Sequence, residues 1–158
     1  MSTESVLQNG SELLKEFTVE QLTPEEHRLD LVIKPEDLTA AVSRLQQAGW
    51  DYLAGITGLD PGVKKGEDEG NSFFEVLYHF CSGRYVLTLR ARVSRKEPKI
   101  ASICGIIPSA SFFERELMEM FGITVVDTPN PERLFLPDSW PEGVYPLRKD
   151  FAGREVTA

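Results

Sequence analysis

Apolar residues along the chain recur with two different periods, and the switches between them mark the elements. Residues 27–34 alternate, with Leu29, Leu31 and Ile33 on one side, which predicts a strand. Leu38, Ala41, Val42, Leu45 and Ala48 then recur at helical spacing. Pro35, Glu36 and Asp37 ahead of them suit a first helical turn, and Gly49 suits a stop. A shorter helix over 11–17 rests on Leu13, Leu14 and Phe17, with Asn9 and Gly10 limiting its start. Residues 52–57 read as a short strand. Residues 73–80 and 84–93 alternate again and form a predicted hairpin turned by Ser82 and Gly83. On the first strand Phe74, Val76, Tyr78 and Phe80 share a face; on the second Tyr85, Leu87, Leu89, Ala91 and Val93 share a face, while Arg90 and Arg92 point the other way. Between strands, residues 60–71 form a polar loop without the Gly-Lys-Ser/Thr ending that a phosphate cradle needs.

Residues 99–107 predict a short helix. Ser111 and Glu114 stand at capping-box spacing and open a further helix to Phe121, closed by Gly122. Phe113, Leu117 and Met120 make its apolar face, and Glu116 and Glu119 lie one turn apart on another. From Asp127 both periods vanish. Five of the ten prolines fall between Pro129 and Pro146, which excludes a regular helix or central strand. Yet Leu134, Phe135, Leu136, Trp140, Tyr145 and Leu147 make this stretch too apolar for a solvated tail. The fold predicted is α+β: a small, mostly antiparallel sheet with helices packed on it over residues 1–126, and an extended Pro-rich C-terminal arm over 127–158. The arm lays its side chains on a surface, either this domain's own or a partner's.

Composition narrows the function classes. With 158 residues, 41% hydrophobic and 27% charged, the chain makes one globular domain. A net charge of −8 without a basic stripe or polybasic cluster argues against a nucleic-acid binder or a membrane-surface binder. No apolar run is long enough to span a bilayer, and the first residues lack the pattern of a secretory signal. Cys81 and Cys104 are isolated and predict two reduced thiols rather than a disulfide. Two cysteines fall short of the four thiolates that an iron–sulfur cluster ordinarily takes. His27 and His79 each lack a second ligand nearby and read as ordinary strand residues.

Two groups of residues could carry chemistry. Glu116 and Glu119 could form an acid–base pair, which would make the chain a small hydrolase. Carboxylates three apart on a helix more often form a solvated or interface face, and no nucleophile, oxyanion donor or metal-ligand set accompanies them. Arg148, Lys149 and Asp150, with Arg133 upstream, read equally as tail surface charges or as anchors to a partner. A free-standing adaptor with the arm as its docking peptide is the second function the residues allow.

Two motifs add a resemblance. Glu114, Arg115 and Glu116 precede Met120, Phe121, Gly122 and Ile123. Arg133, Leu134, Phe135, Leu136, Pro137, Asp138 and Trp140 then precede Tyr145, Pro146, Leu147, Arg148, Lys149, Asp150 and Phe151. In this order they resemble the signature of the complex I 30 kDa subunit family, found in NADH-quinone oxidoreductase, and of its equivalent in energy-converting membrane-bound hydrogenases. Glu119 stands where the family usually has Asp, Thr128 where it has His, and Pro131 where Leu is common. The resemblance implies a cofactor-free structural and assembly subunit, not catalytic alone, in the cytoplasmic peripheral arm of a complex I-like electron-transport enzyme. That enzyme would translocate protons or sodium ions, and its iron–sulfur clusters would lie in partner subunits. The implied partners are a hydrogenase-like large subunit and a small iron–sulfur subunit, reached from the inner face of the membrane without direct insertion. The implied interface is Glu114, Arg115, Glu116, Glu119, Phe121, Gly122, Arg133, Trp140, Tyr145, Arg148, Lys149 and Asp150, with Gly122 aiming the arm away from the domain.

Overall fold

In a computed structural model, residues 3–63 and 72–153 are described. The chain begins with helix α1 (Thr3–Leu13), followed by strands β1 (Thr18–Glu25) and β2 (Arg28–Ile33). A single 3-10 turn (Pro35–Asp37) leads into helix α2 (Leu38–Gln47) and strand β3 (Tyr52–Leu59). The hairpin β4 (Phe73–Ser82) and β5 (Tyr85–Ser94) follows, then strand β6 (Lys99–Ala101), helix α3 (Ala110–Phe121) and strand β7 (Thr124–Val126).

Five strands make one sheet in the order β1-β2-β5-β4-β3. Every neighbouring pair is antiparallel except β2 with β5, so the predicted α+β sheet is present with one parallel join. The parallel join arises because α2 carries the chain from β2 to the far edge, leaving room for the β4–β5 hairpin between. Phe74, Val76, Tyr78, Phe80, Leu87, Leu89, Leu29, Leu31 and Ile33 are all buried on one face, as the alternation requires. Leu38, Ala41, Val42 and Leu45 of α2 join that core, while Ala48 is exposed beyond the end of the stripe. Each buried large apolar side chain stabilises the fold by about 1.5–3 kcal/mol, so this face is the main source of stability.

The other face is polar but not loosely so. Asp30 and Glu75 are buried there, bridged by Arg90, with Arg28 and Arg92 closing the two ends. Burial alone would raise the Glu75 carboxyl, but Arg90 and Arg92 outweigh it and hold it below its ordinary value. His79 lies on the same face between the Thr57 and Thr88 hydroxyls, at 3.0 and 3.1 Å, a hydrogen-bonded strand residue as expected.

Several local expectations are overturned. Helix α1 runs through Asn9 and Gly10 instead of starting after them, and ends at Leu13. Gly10 is buried, and a Cβ there would lie 2.6 Å from Leu87 Cδ1, so the glycine marks a close crossing rather than a helix stop. Strand β1 has no counterpart in the predicted elements, because an edge strand that is mostly solvent-facing shows no apolar alternation. Residues 99–107 are not a helix. Lys99–Ala101 pairs in parallel with Thr124–Val126, and turns follow through Ile107. Their apolar residues are continuous rather than periodic, which cannot distinguish a buried strand from a helix.

Candidate partner-binding surface

Helix α3 is the element on which the implied interface residues converge. Gly58 of β3 lets it pack closely, since a Cβ there would lie 2.5 Å from the Phe121 ring. The capping box predicted at Ser111 and Glu114 does not form: the helix begins at Ala110 behind Ser109, with no side-chain cap. Glu114 turns inward instead. Its carboxylate accepts from the Ser102 hydroxyl at 2.8 Å, the Ile103 N–H at 2.8 Å and the Cys104 thiol at 3.2 Å. These donors satisfy a carboxylate that is almost wholly buried. Both cysteines are free thiols, and burial, countered in part by Ser102 and reinforced by Glu114, pushes the Cys104 thiol up.

Arg115 and Glu119, one turn apart, both face the arm. Arg115 donates to the carbonyls of Glu132 at 2.7 Å and Arg133 at 2.6 Å. Glu119 accepts three successive backbone N–H groups, from Leu134 at 3.2 Å, Phe135 at 2.9 Å and Leu136 at 2.8 Å. A chain rich in proline cannot bond its own backbone in a helix or ladder, so these two side chains supply its partners. Glu119 is therefore buried, not solvated. Glu116 and Glu119 line different clefts, the first facing β3 and the second the arm, so the fold does not assemble them as an acid–base pair.

The end of the helix is held by the arm in return. Gly122 takes φ 67°, the left-handed stop expected of it. It does not aim the arm outward, because β7 follows first and the chain turns at Asp127, φ 62°. The arm then runs back along α3. Leu147 N–H reaches the Met120 carbonyl at 3.2 Å, and Arg148 Nε reaches the Phe121 carbonyl at 2.7 Å. Both carbonyls belong to the last turn, which lacks helical partners and carries the negative end of the dipole. The Arg148 guanidinium also lies over the rings of Phe74, at 4.9 Å, and Tyr145, at 4.3 Å.

A last anchor was not foreseen from the sequence. Asp60 is buried, receives Arg95 through two bonds of 2.6 and 3.0 Å, and accepts the Lys149 N–H at 2.8 Å. Burial raises its carboxyl, but Arg95 and the Lys149 and Gly62 N–H groups outweigh it, so the carboxyl sits below its ordinary value. Asp150 lies 3.5 Å from Arg95. Asp60 stands in a Pro-Gly turn sequence, and nothing local marks it as the receiver of a residue far along the chain. Arg133 and Trp140 serve the arm itself: Arg133 donates to the Pro137 and Trp140 carbonyls at 2.9 and 3.0 Å, and Trp140 donates to the Val144 carbonyl at 2.8 Å.

Eleven of the twelve implied interface residues are engaged within this chain, Arg133 and Trp140 inside the arm, and Glu116 is the exception among the described residues. Glu114, Arg115, Glu119, Phe121, Gly122, Tyr145, Arg148, Lys149 and Asp150 fix the arm or the core of this domain. The arm's outer side remains, with Phe135 62% and Leu147 52% exposed. Among the described residues no helix is long and apolar enough to cross a membrane, and no cluster of three His, Cys, Asp or Glu could hold a metal ion.

A sequence profile described as "Respiratory-chain NADH dehydrogenase, 30 Kd subunit" matches residues 31–157, which include α3 and all but the final residue of the arm. The chain belongs to this family. Among relatives, formate hydrogenlyase subunit 5 of Escherichia coli is 33% identical over 128 residues, 78% of this chain but 21% of that protein. A subunit of the NADH-quinone oxidoreductase of Roseiflexus castenholzii is 40% identical over 127 residues, covering 77% of this chain and 68% of that one. The chain therefore spans anything from about a fifth to two thirds of the family members it matches here. In fold it is similar to a chain of an archaeal membrane-bound sulfane sulfur reductase, with a TM-score of 0.74 at 20% identity, covering 94% of this chain and 84% of that one.

Proposed function

We propose that this chain is a cofactor-free structural and assembly subunit in the cytoplasmic peripheral arm of a complex I-like oxidoreductase or a related energy-converting hydrogenase. It packs against the hydrogenase-like large subunit and the small iron–sulfur subunit, which hold the redox centres, and reaches the membrane only through the complex. The supporting observation is the arm: its backbone is fixed on α3 by Arg115 and Glu119, so Phe135 and Leu147 are presented outward on a pre-organised strap. A rigid apolar strap loses little entropy on docking, which suits permanent assembly better than transient binding. Relatives named for both NADH-quinone oxidoreductase and formate hydrogenlyase support a place in this wider class of enzymes.

The test is an affinity pull-down from detergent-solubilised native membranes, using the tagged chain and its Arg133→Ala/Arg148→Ala variant. The wild type is expected to bring down a hydrogenase-like large subunit and iron–sulfur subunits, and the variant to lose them. A well-folded wild type that comes down alone would replace this reading with a free-standing adaptor.

A further inference from the structure

The two edges of the sheet are built in opposite ways. The β1 edge carries Glu20, Glu25 and Pro24, and its register shifts twice. Charges, proline and bulges are the devices by which a sheet edge is closed to another strand. The β3 edge has none of the first two: from Tyr52 to Leu59 there is no charged residue and no proline, and its register shifts once. Among the described residues nothing pairs with the outer edge of β3. Tyr52, Ala54, Thr57 and Leu59 are exposed along it.

Beside this edge lies a cleft of about 270 Å³ between β3 and α3. Gly55 and Gly58 form one wall, Phe113 and Leu117 the other, and Leu147 of the arm closes one side. Glu116 stands at the same cleft. It differs from the other two α3 carboxylates: Glu114 and Glu119 each accept three or more donors, whereas Glu116 has no hydrogen bond or ion pair among the described residues.

We infer that the β3 edge receives an extended strand from another subunit, which adds to the sheet, lays an apolar side chain into the cleft beside Phe113 and Leu147, and sets a Lys or Arg against Glu116. This deepens the assembly reading above and rests on it. Main-chain bonds along β3 give the affinity, and the cleft with Glu116 gives the register. Charge decides against a second copy of this chain as the occupant. Self-pairing of β3 would bring two Glu116 carboxylates and two chains of net charge −8 together, and like charges at an interface oppose binding. A basic, otherwise apolar strand of a different polypeptide meets both features. The arm's outer side, with Leu147 on the rim, makes this cleft continuous with the proposed docking surface.

The experiment uses the complex purified through the tagged full chain, with a photo-crosslinking benzoylphenylalanine at Thr57, together with backbone amide exchange of β3 in the complex and in the free chain. The expected result is a crosslink to a segment of another subunit bearing Lys or Arg, and β3 amides that exchange on the order of tenfold or more slowly in the complex. Glu116→Lys is expected to lower recovery of that subunit about tenfold, with the unfolding midpoint of the free variant unchanged. A crosslink to a second copy of this chain overturns the inference. So does a complete complex in which β3 amides exchange as in the free chain, and there the assembly reading survives. A wild-type chain that recovers no subunit at all overturns both.

Discussion

The Tyr145 ring occupies the space into which a side chain at Gly122 would project. The residue that stops α3 is therefore also the floor on which the arm rests, and glycine is demanded twice, by its positive φ and by the ring. Gly122→Ala is expected to destabilise the fold by at least about 1–2 kcal/mol from the left-handed backbone alone. It should also lift Tyr145, so limited proteolysis should cut within residues 127–153 well before the wild type is cut. Denaturant unfolding and timed digestion measure the two effects separately, and an arm that stays protected would break the link between them.

Glu119 and Glu116 make an internal control. Glu119→Gln replaces an acceptor of three N–H groups by an amide that presents two hydrogens of its own, and is expected to cost about 1–3 kcal/mol. Amide exchange at Leu134, Phe135 and Leu136 should quicken with it. Glu116→Gln, at a carboxylate without a bonded partner among the described residues, should change the stability of the free chain by no more than about 0.5 kcal/mol. Equal losses from the two variants would contradict the division of roles on α3.

Acid should release the arm through Asp60. Its carboxyl in the folded chain lies below the ordinary value of 3.8, so its contribution is fully present above that value and is lost as pH falls through the depressed one. Glu75 adds loss in the same direction below its ordinary 4.5. Asp60→Asn should flatten the fall of unfolding free energy below about pH 4. It should also cost about 3 kcal/mol at neutral pH, because Arg95 loses its buried carboxylate and keeps only the exposed Asp150, 3.5 Å away. A stability profile as steep as that of the wild type would mean that Asp60 is not the titrating group.

The two cysteines should differ sharply in reactivity. Cys81 is partly exposed, whereas Cys104 is buried against Glu114 with its thiol pushed up. Iodoacetamide near neutral pH is expected to alkylate Cys81 first and Cys104 only on unfolding, as read by peptide mass spectrometry. Early modification of Cys104 would show that the Glu114 cluster opens readily.

Strands β2, β3, β4 and β5, helices α2 and α3, and the stop at Gly122 are all legible in the amino-acid pattern. Each rests on a local cause: a period of two or 3.6, a stop signal, a turn residue. The prolines between Pro129 and Pro146 likewise exclude a regular helix or central strand there, because proline removes backbone donors wherever it stands. Where that arm lies and what holds it depend on contacts between distant segments. Asp60 receives Lys149, Arg148 caps α3, and Glu119 gathers the N–H groups of residues 134–136, all between segments far apart in the chain. Nothing in a neighbouring sequence marks a carboxylate for burial; its partners come from elsewhere. The same holds for the edge strand β1 and the short β6–β7 pair, whose hydrogen-bonding partners, rather than their own apolar pattern, make them strands.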